Sequence, residues 1–350
     1  LRTFSSQSNR IRLTDADASA IFVVAFFVAL LTTMLISFLP KNFSSPLSYL
    51  APQVCYAVAI LFFVRHKKVG FRAVIPYKKP VPLALIFSVF ATLGVLFQNL
   101  IFGVSFGYIF NHFGVGRTPE VPNVATAIIV CIMPAIGEEF MFRGLFLTVL
   151  KEKRGSVYAV LMTSLLFALS HLNAQQFVFQ FLFGLVLGFI TVKTGNILYS
   201  QIMHALSNAF VISLPLIIPF FARIDTFSWY NIGIMAVFAV VGAVVLYPSL
   251  AFMVKAVNAV KVKRAVTEED YLSGVLDLDA HEAQIKDGEI IEGETIETYS
   301  EKLKIFGFFT FFKEKDLRIC YNQKEQRKAS LAFVSLIAGL AFLFVITIFL

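Results

Sequence analysis

Charge is scarce in this chain. Only 15% of its 350 residues are Asp, Glu, Lys or Arg, against ~25% in soluble domains. Set beside 58% apolar residues, this excludes an ordinary water-soluble globule and a disordered tail, because so much apolar surface cannot be hidden inside one soluble fold. The net charge of +8 does not imply nucleic acid, since the Lys and Arg flank apolar runs, as a cytoplasmic membrane surface selects. Cysteine is nearly absent. Cys55, Cys131 and Cys320 stand far apart with no CxxC spacing, which argues against a disulfide framework or a thiolate metal site. No signal peptide is recognisable, because the first apolar run is too long for an h-region and ends in no small-residue cleavage site.

What the chain has instead is long apolar runs. A helical span needs about 20 largely apolar residues, and nine runs qualify as candidates: 18–40, 47–64, 81–105, 123–150, 157–171, 175–192, 196–222, 228–254 and 329–350. The fold expected is an all-α membrane protein, a polytopic bundle of eight core transmembrane helices over 18–255 with a ninth at the C-terminal end. The fifth and sixth runs are short and joined only by Leu172 to Ala174, so a tight hairpin that need not cross the bilayer is expected. With residues 1–17 in the cytoplasm, only Lys41, Arg117 and Arg223 of the 30 Lys and Arg fall in outside loops. The positive-inside rule therefore places the N-terminus inside. Residues 256–328 read as a cytoplasmic charged module or linker. Its EIIEGETIE alternation allows a short strand, and its basic part reads as a juxtamembrane anchor.

A charged side chain deep in a helical span costs roughly 2.5–3.5 kcal/mol on insertion scales, and so marks function by default. Of 22 acids only Glu138 and Glu139 lie in spans, and of 30 cations only Arg143. Two of five His, His171 and His204, lie in or at the end of spans, while His66, His112 and His281 are expected in loops or the cytoplasmic segment. Counting ~1.5 Å per residue from the cytoplasmic helix ends puts Glu139, His171 and His204 all near mid-membrane. Residues four apart share a helix face. Glu139 and Arg143 form such a pair, as do Phe167 and His171, and His204 and Asn208. Glu138 is rotated by ~100° and points elsewhere. Pro134 removes one ladder bond and frees the carbonyl of Val130, loosening the helix just before the acids.

These residue types suit amide hydrolysis. Glu138, unpaired and poorly solvated, suits a general base for water, with His171 holding the same water. His204 and Asn208 supply two donors from one face for a developing oxyanion. Glu139 and Arg143 buttress the site. The motifs also resemble those of a known family. Glu138-Glu139-Phe-Met-Phe-Arg143 resembles the EExxxR motif of the CPBP intramembrane proteases (CAAX prenyl endopeptidases and bacteriocin-processing enzymes, the Abi family). Phe167-Ala-Leu-Ser-His171 resembles its FxxxH motif, and His204-Ala-Leu-Ser-Asn208 its HxxxN motif, in the same order. The resemblance implies an intramembrane endopeptidase open to the cytoplasm, in which the residues matching Glu138 and His171 activate water and those matching His204 and Asn208 polarise the scissile carbonyl. Its partners would be the lipid bilayer and a membrane-associated peptide or protein, with no nucleic acid. A divalent metal such as zinc is left open: Glu138, His171 and His204 would be its ligands, but HExxH is missing.

Blander readings stand beside each of these. Glu138 could be a second partner for Arg143, His171 a helix-end cap, and His204 with Asn208 interhelical glue. Phe167 suits core packing that orients His171, and Gly184 with Gly188 suits close helix contact. Two other functions compete with hydrolysis. One is an ion- or proton-coupled transporter using the same residues as a relay. The other is a non-catalytic immunity or scaffold membrane protein.

Overall fold

The computed structural model of the chain describes residues 13–112, 123–221, 229–273 and 335–341. Ten α-helices and one π-helical stretch account for almost all of them: α1 Asp15–Ile36, α2 Lys41–His66, the short α3 Phe71–Val74, α4 Pro82–His112, α5 Val124–Glu139, the π-helical stretch Phe140–Phe146, α6 Leu147–Arg154, α7 Ser156–Ser170, α8 Ala174–Thr194, α9 Leu198–Phe221 and α10 Trp229–Ser273. No strand occurs among the described residues. The acidic segment with its strand-like EIIEGETIE lies outside them.

Among the described residues, six helical segments are long and apolar enough to cross a bilayer: α1, α2, residues 82–100 of α4, the continuous run 124–154, α8, and residues 229–260 of α10. The chain is an integral, multi-pass membrane protein. The expected count of eight core spans and a ninth is matched only in part. At 15 residues, or about 22 Å, α7 is shorter than the ~30 Å hydrocarbon core. Its hairpin partner α8, also expected to be short, has 21 residues and is long enough. The side chains of α9 are described only to Ser213. Of the ninth run, residues 335–341 are helical, with Leu336 and Leu340 buried in the bundle. The helix carrying the eighth run continues through position 255 to Ser273. His66 and His112, expected in loops, instead end α2 and α4.

Helix starts follow from local chemistry. Thr14 opens α1 with a capping box: its hydroxyl accepts from the Asp17 amide while the Asp17 carboxylate accepts from the Thr14 amide, satisfying two otherwise orphaned donors. The same end of the bundle is tied by ion pairs, Lys67 to Asp17 at 2.7 Å and Arg154 to Asp15 at 2.9 Å. The N-terminus of α1, the end of α2 and the end of α6 therefore share one end. Along α1, Ala18, Phe22, Ala25 and Ala29 are buried whereas Val24, Phe27, Leu31 and Leu35 are exposed. The exposed apolar face suits lipid, not water.

Small residues set the closest helix crossings. A Cβ on Gly184 would lie 3.0 Å from the Ser164 side chain, and one on Gly188 would lie 3.1 Å from Val160. The GxxxG of α8 therefore packs against α7, as the sequence suggests. A Cβ on Gly137 would lie 2.8 Å from the Cα of Gln53, so α5 touches α2 nearly backbone to backbone, directly beside Glu138.

Candidate active site

The two acids end α5, where the helix changes character. Pro134 has no amide hydrogen to offer the Val130 carbonyl, and the π-helical stretch begins at Phe140, immediately after Glu139. π turns inside α-helices are rare and occur frequently at functional sites. Asn208 of α9 supplies the missing donor, its Nδ2 donating to the Val130 carbonyl at 3.1 Å. The sequence anticipates the freed carbonyl but not the residue that satisfies it. One N–H of Asn208, expected to face an oxyanion, thus has a structural partner.

Glu139 and Arg143 are wholly buried and bonded to each other, Arg143 Nη1 donating to Glu139 Oε1 at 2.8 Å. Arg143 Nη2 donates to the Gly184 carbonyl at 3.3 Å, and its guanidinium lies 4.4 Å from the centre of the Phe167 ring. His204 Nδ1 donates to the same Glu139 Oε1 at 2.9 Å. Arg143, Glu139 and His204 thus form one chain of charge-assisted bonds joining the π-helical stretch, α5 and α9. Charge-assisted bonds are shorter and roughly twice as strong as neutral ones.

Glu138 points away from this chain. Its Oε1 accepts from Gln53 Nε2 at 3.2 Å. Its Oε2 has no hydrogen-bond partner among the described protein groups and lies 4.0 Å from His171 Nε2 and 3.9 Å from His204 Nε2. Both imidazoles present Nε2 for the same reason. A carbonyl or carboxylate oxygen can only accept, so Nδ1 of His171, 2.7 Å from the Phe167 carbonyl, carries a proton, as does Nδ1 of His204. Phe167 meets both rings edge-on, with centroids 4.8 Å from His171 and 5.7 Å from His204, and Phe183 meets His204 at 5.8 Å. The rings can hardly turn.

His171 is the C-cap of α7, and Leu172 after it has φ 47°. That left-handed conformation costs a non-glycine residue about 1–3 kcal/mol. Irregular backbone at membrane depth is tolerated only against protein or a water-lined cavity. Accessibility divides the acids in the same sense: the side chains of Glu138 and His171 are 15% and 20% exposed, those of Glu139 and Arg143 not at all.

Three elements, α5, α7 and α9, therefore bring His171 Nε2 and His204 Nε2 each to within 4.0 Å of Glu138 Oε2, with Glu139, Arg143 and Phe167 behind them. The Rce1-like family model, that of type II CAAX prenyl endopeptidases, matches residues 120–210. This Rce1-like segment is about a quarter of the chain. It contains all three motifs, so the resemblance to the CPBP intramembrane proteases holds over the residues that carry it and supports an intramembrane protease of the CAAX type in general. No curated protein and no solved structure matches the chain.

As placed, the trio is wider than a tetrahedral zinc site. Ligand atoms about 2.0–2.1 Å from a tetrahedral zinc ion lie about 3.4 Å apart, whereas here the gaps are 3.9 and 4.0 Å. No group of three His, Cys, Asp or Glu that could hold a metal ion occurs among the described residues. Gln53 lies outside the Rce1-like segment and is the residue that sequence reasoning missed. A search for charge passes over it. The signal was there, since it is the single amide in the apolar run 47–64.

Proposed function

We propose that the chain is an intramembrane endopeptidase that hydrolyses peptide bonds of membrane-associated peptides or proteins. The observation that carries the proposal is Glu138 Oε2, without a hydrogen-bond partner among the described residues and flanked by two imidazole nitrogens. Gaps of 3.9 and 4.0 Å are too long for direct hydrogen bonds and suit one bridging water about 2.8 Å from each atom.

In this reading Glu138 removes a proton from that water while His171 Nε2 holds it, and the resulting hydroxide attacks the scissile carbonyl. His204 serves as the imidazolium. Glu138 and Glu139 then balance Arg143 and His204, so that the buried set carries no net charge. A balanced set avoids the cost of a lone buried ion. His204 Nε2–H and the second amide N–H of Asn208 stabilise the oxyanion. The proton taken by Glu138 returns to the leaving amine as the C–N bond breaks. No step requires a Ser or Cys nucleophile. The basic residues near α2 and α6 favour a cytoplasmic side for residues 1–17, and substrate enters from that side in this reading. Residues 18–255 form the protease core, 256–328 a cytoplasmic module and 329–350 a final span.

Membranes carrying the wild type and Glu138→Ala test the proposal through their peptide content. A membrane-proximal peptide that accumulates uncut only in Glu138→Ala supports it. Identical peptide profiles, with both proteins folded, contradict it.

A further inference from the structure

Gln53 is 6% exposed, in the middle of α2, and bonds to the one oxygen of Glu138 that does not face the imidazoles. Because a carboxylate only accepts, the amide must present its Nε2 there. That bond anchors Oε1 and leaves Oε2 as the only oxygen turned toward both His171 and His204. Its own Oε1 has no hydrogen-bond partner among the described groups, so the amide is held by Glu138 and not by a wider network. The helix crossing serves this reach. Gly137 has no side chain where a Cβ would lie 2.6 Å from Gln53 Oε1 and 2.8 Å from its Cβ, and this lets α2 approach Glu138.

We infer that Gln53 is a positioning residue for Glu138: it locks the carboxylate rotamer by its Oε1 so that Oε2 meets the attacking water. The inference rests on the hydrolytic reading above and extends the site beyond the Rce1-like segment to α2. Interhelical glue would be the structural alternative. Glue would affect stability, and its loss would add to any other defect. A positioning role acts through Glu138 and vanishes once Glu138 is gone.

The test compares wild type, Gln53→Met, Glu138→Gln and the double variant, each the full chain in proteoliposomes, on the membrane-proximal peptide that accumulates uncut in Glu138→Ala membranes. Met keeps the length of Gln and loses the donor. For folded Gln53→Met, kcat is expected to fall about ten- to hundred-fold with KM unchanged. In the Glu138→Gln background the same change is expected to alter residual turnover less than twofold. Full kcat in folded Gln53→Met, or an equal loss in both backgrounds, overturns the inference. Where Gln53→Met does not fold, Gln53→Asn, which withdraws the amide by one methylene, is read by the same criteria. Full activity in Glu138→Gln, or no cleavage by the wild type, strikes the hydrolytic reading instead and is thereby told apart.

Discussion

Arg143→Met removes the cation from a pair that no water reaches. In the wild type the guanidinium donates to Glu139 at 2.8 Å and to the Gly184 carbonyl at 3.3 Å, and lies 4.4 Å from the centre of the Phe167 ring. Both partners of the ion pair are fully buried. Deleting one partner of a buried pair costs about 3–5 kcal/mol, because it strands the other charge. His204, 2.9 Å from the same carboxylate oxygen, softens that loss but already makes its own bond there and adds no second one. Equilibrium unfolding in mixed micelles, by titration with a denaturing detergent, should show Arg143→Met less stable by about 3–5 kcal/mol. Neutralising the stranded acid should return part of it: Arg143→Met with Glu139→Gln is expected to be more stable than Arg143→Met alone by about 1 kcal/mol or more. An Arg143→Met protein within about 0.5 kcal/mol of wild type would show that the pair is not the buttress described.

Two other perturbations probe the supports of the site. Asn208→Leu leaves the Val130 carbonyl unpaired and should cost about 1–3 kcal/mol, and adding Pro134→Ala, which restores the helix's own donor, should recover part of that in the same titration. Gly184→Leu forces a side chain into the space where a Cβ alone would be 3.0 Å from Ser164. It should cost about 1–3 kcal/mol and lower cleavage as well, because the Gly184 carbonyl it displaces holds Arg143.

The site was legible because the bilayer makes ionisable residues expensive. In a chain with so few charges, sorting acids and cations by span isolates Glu138, Glu139 and Arg143 at once. Helical spacing then pairs Glu139 with Arg143, and the ion pair follows that spacing. Other features depend on packing that one sequence does not carry. The π-helical stretch has no local signature beyond Pro134. The Asn208 bond to Val130 needs the register of α9 against α5, and the role of Gln53 needs the crossing at Gly137. The number of spans was less legible than their existence, since length and apolarity alone do not separate the short α7 from a crossing helix. The prolines of α2, Pro46 and Pro52, lie inside a helix that starts at Lys41, earlier than the apolar run that suggested it.

The most direct measurement of the account is single-turnover cleavage of a membrane-bound peptide by purified wild type and Glu138→Gln at equal folded concentration. Glu138→Gln preserves shape and removes only the proton acceptor. Its rate should fall by about 10²–10⁴-fold while the unfolding midpoint stays within error of the wild type. Turnover at the wild-type rate would contradict water activation by Glu138.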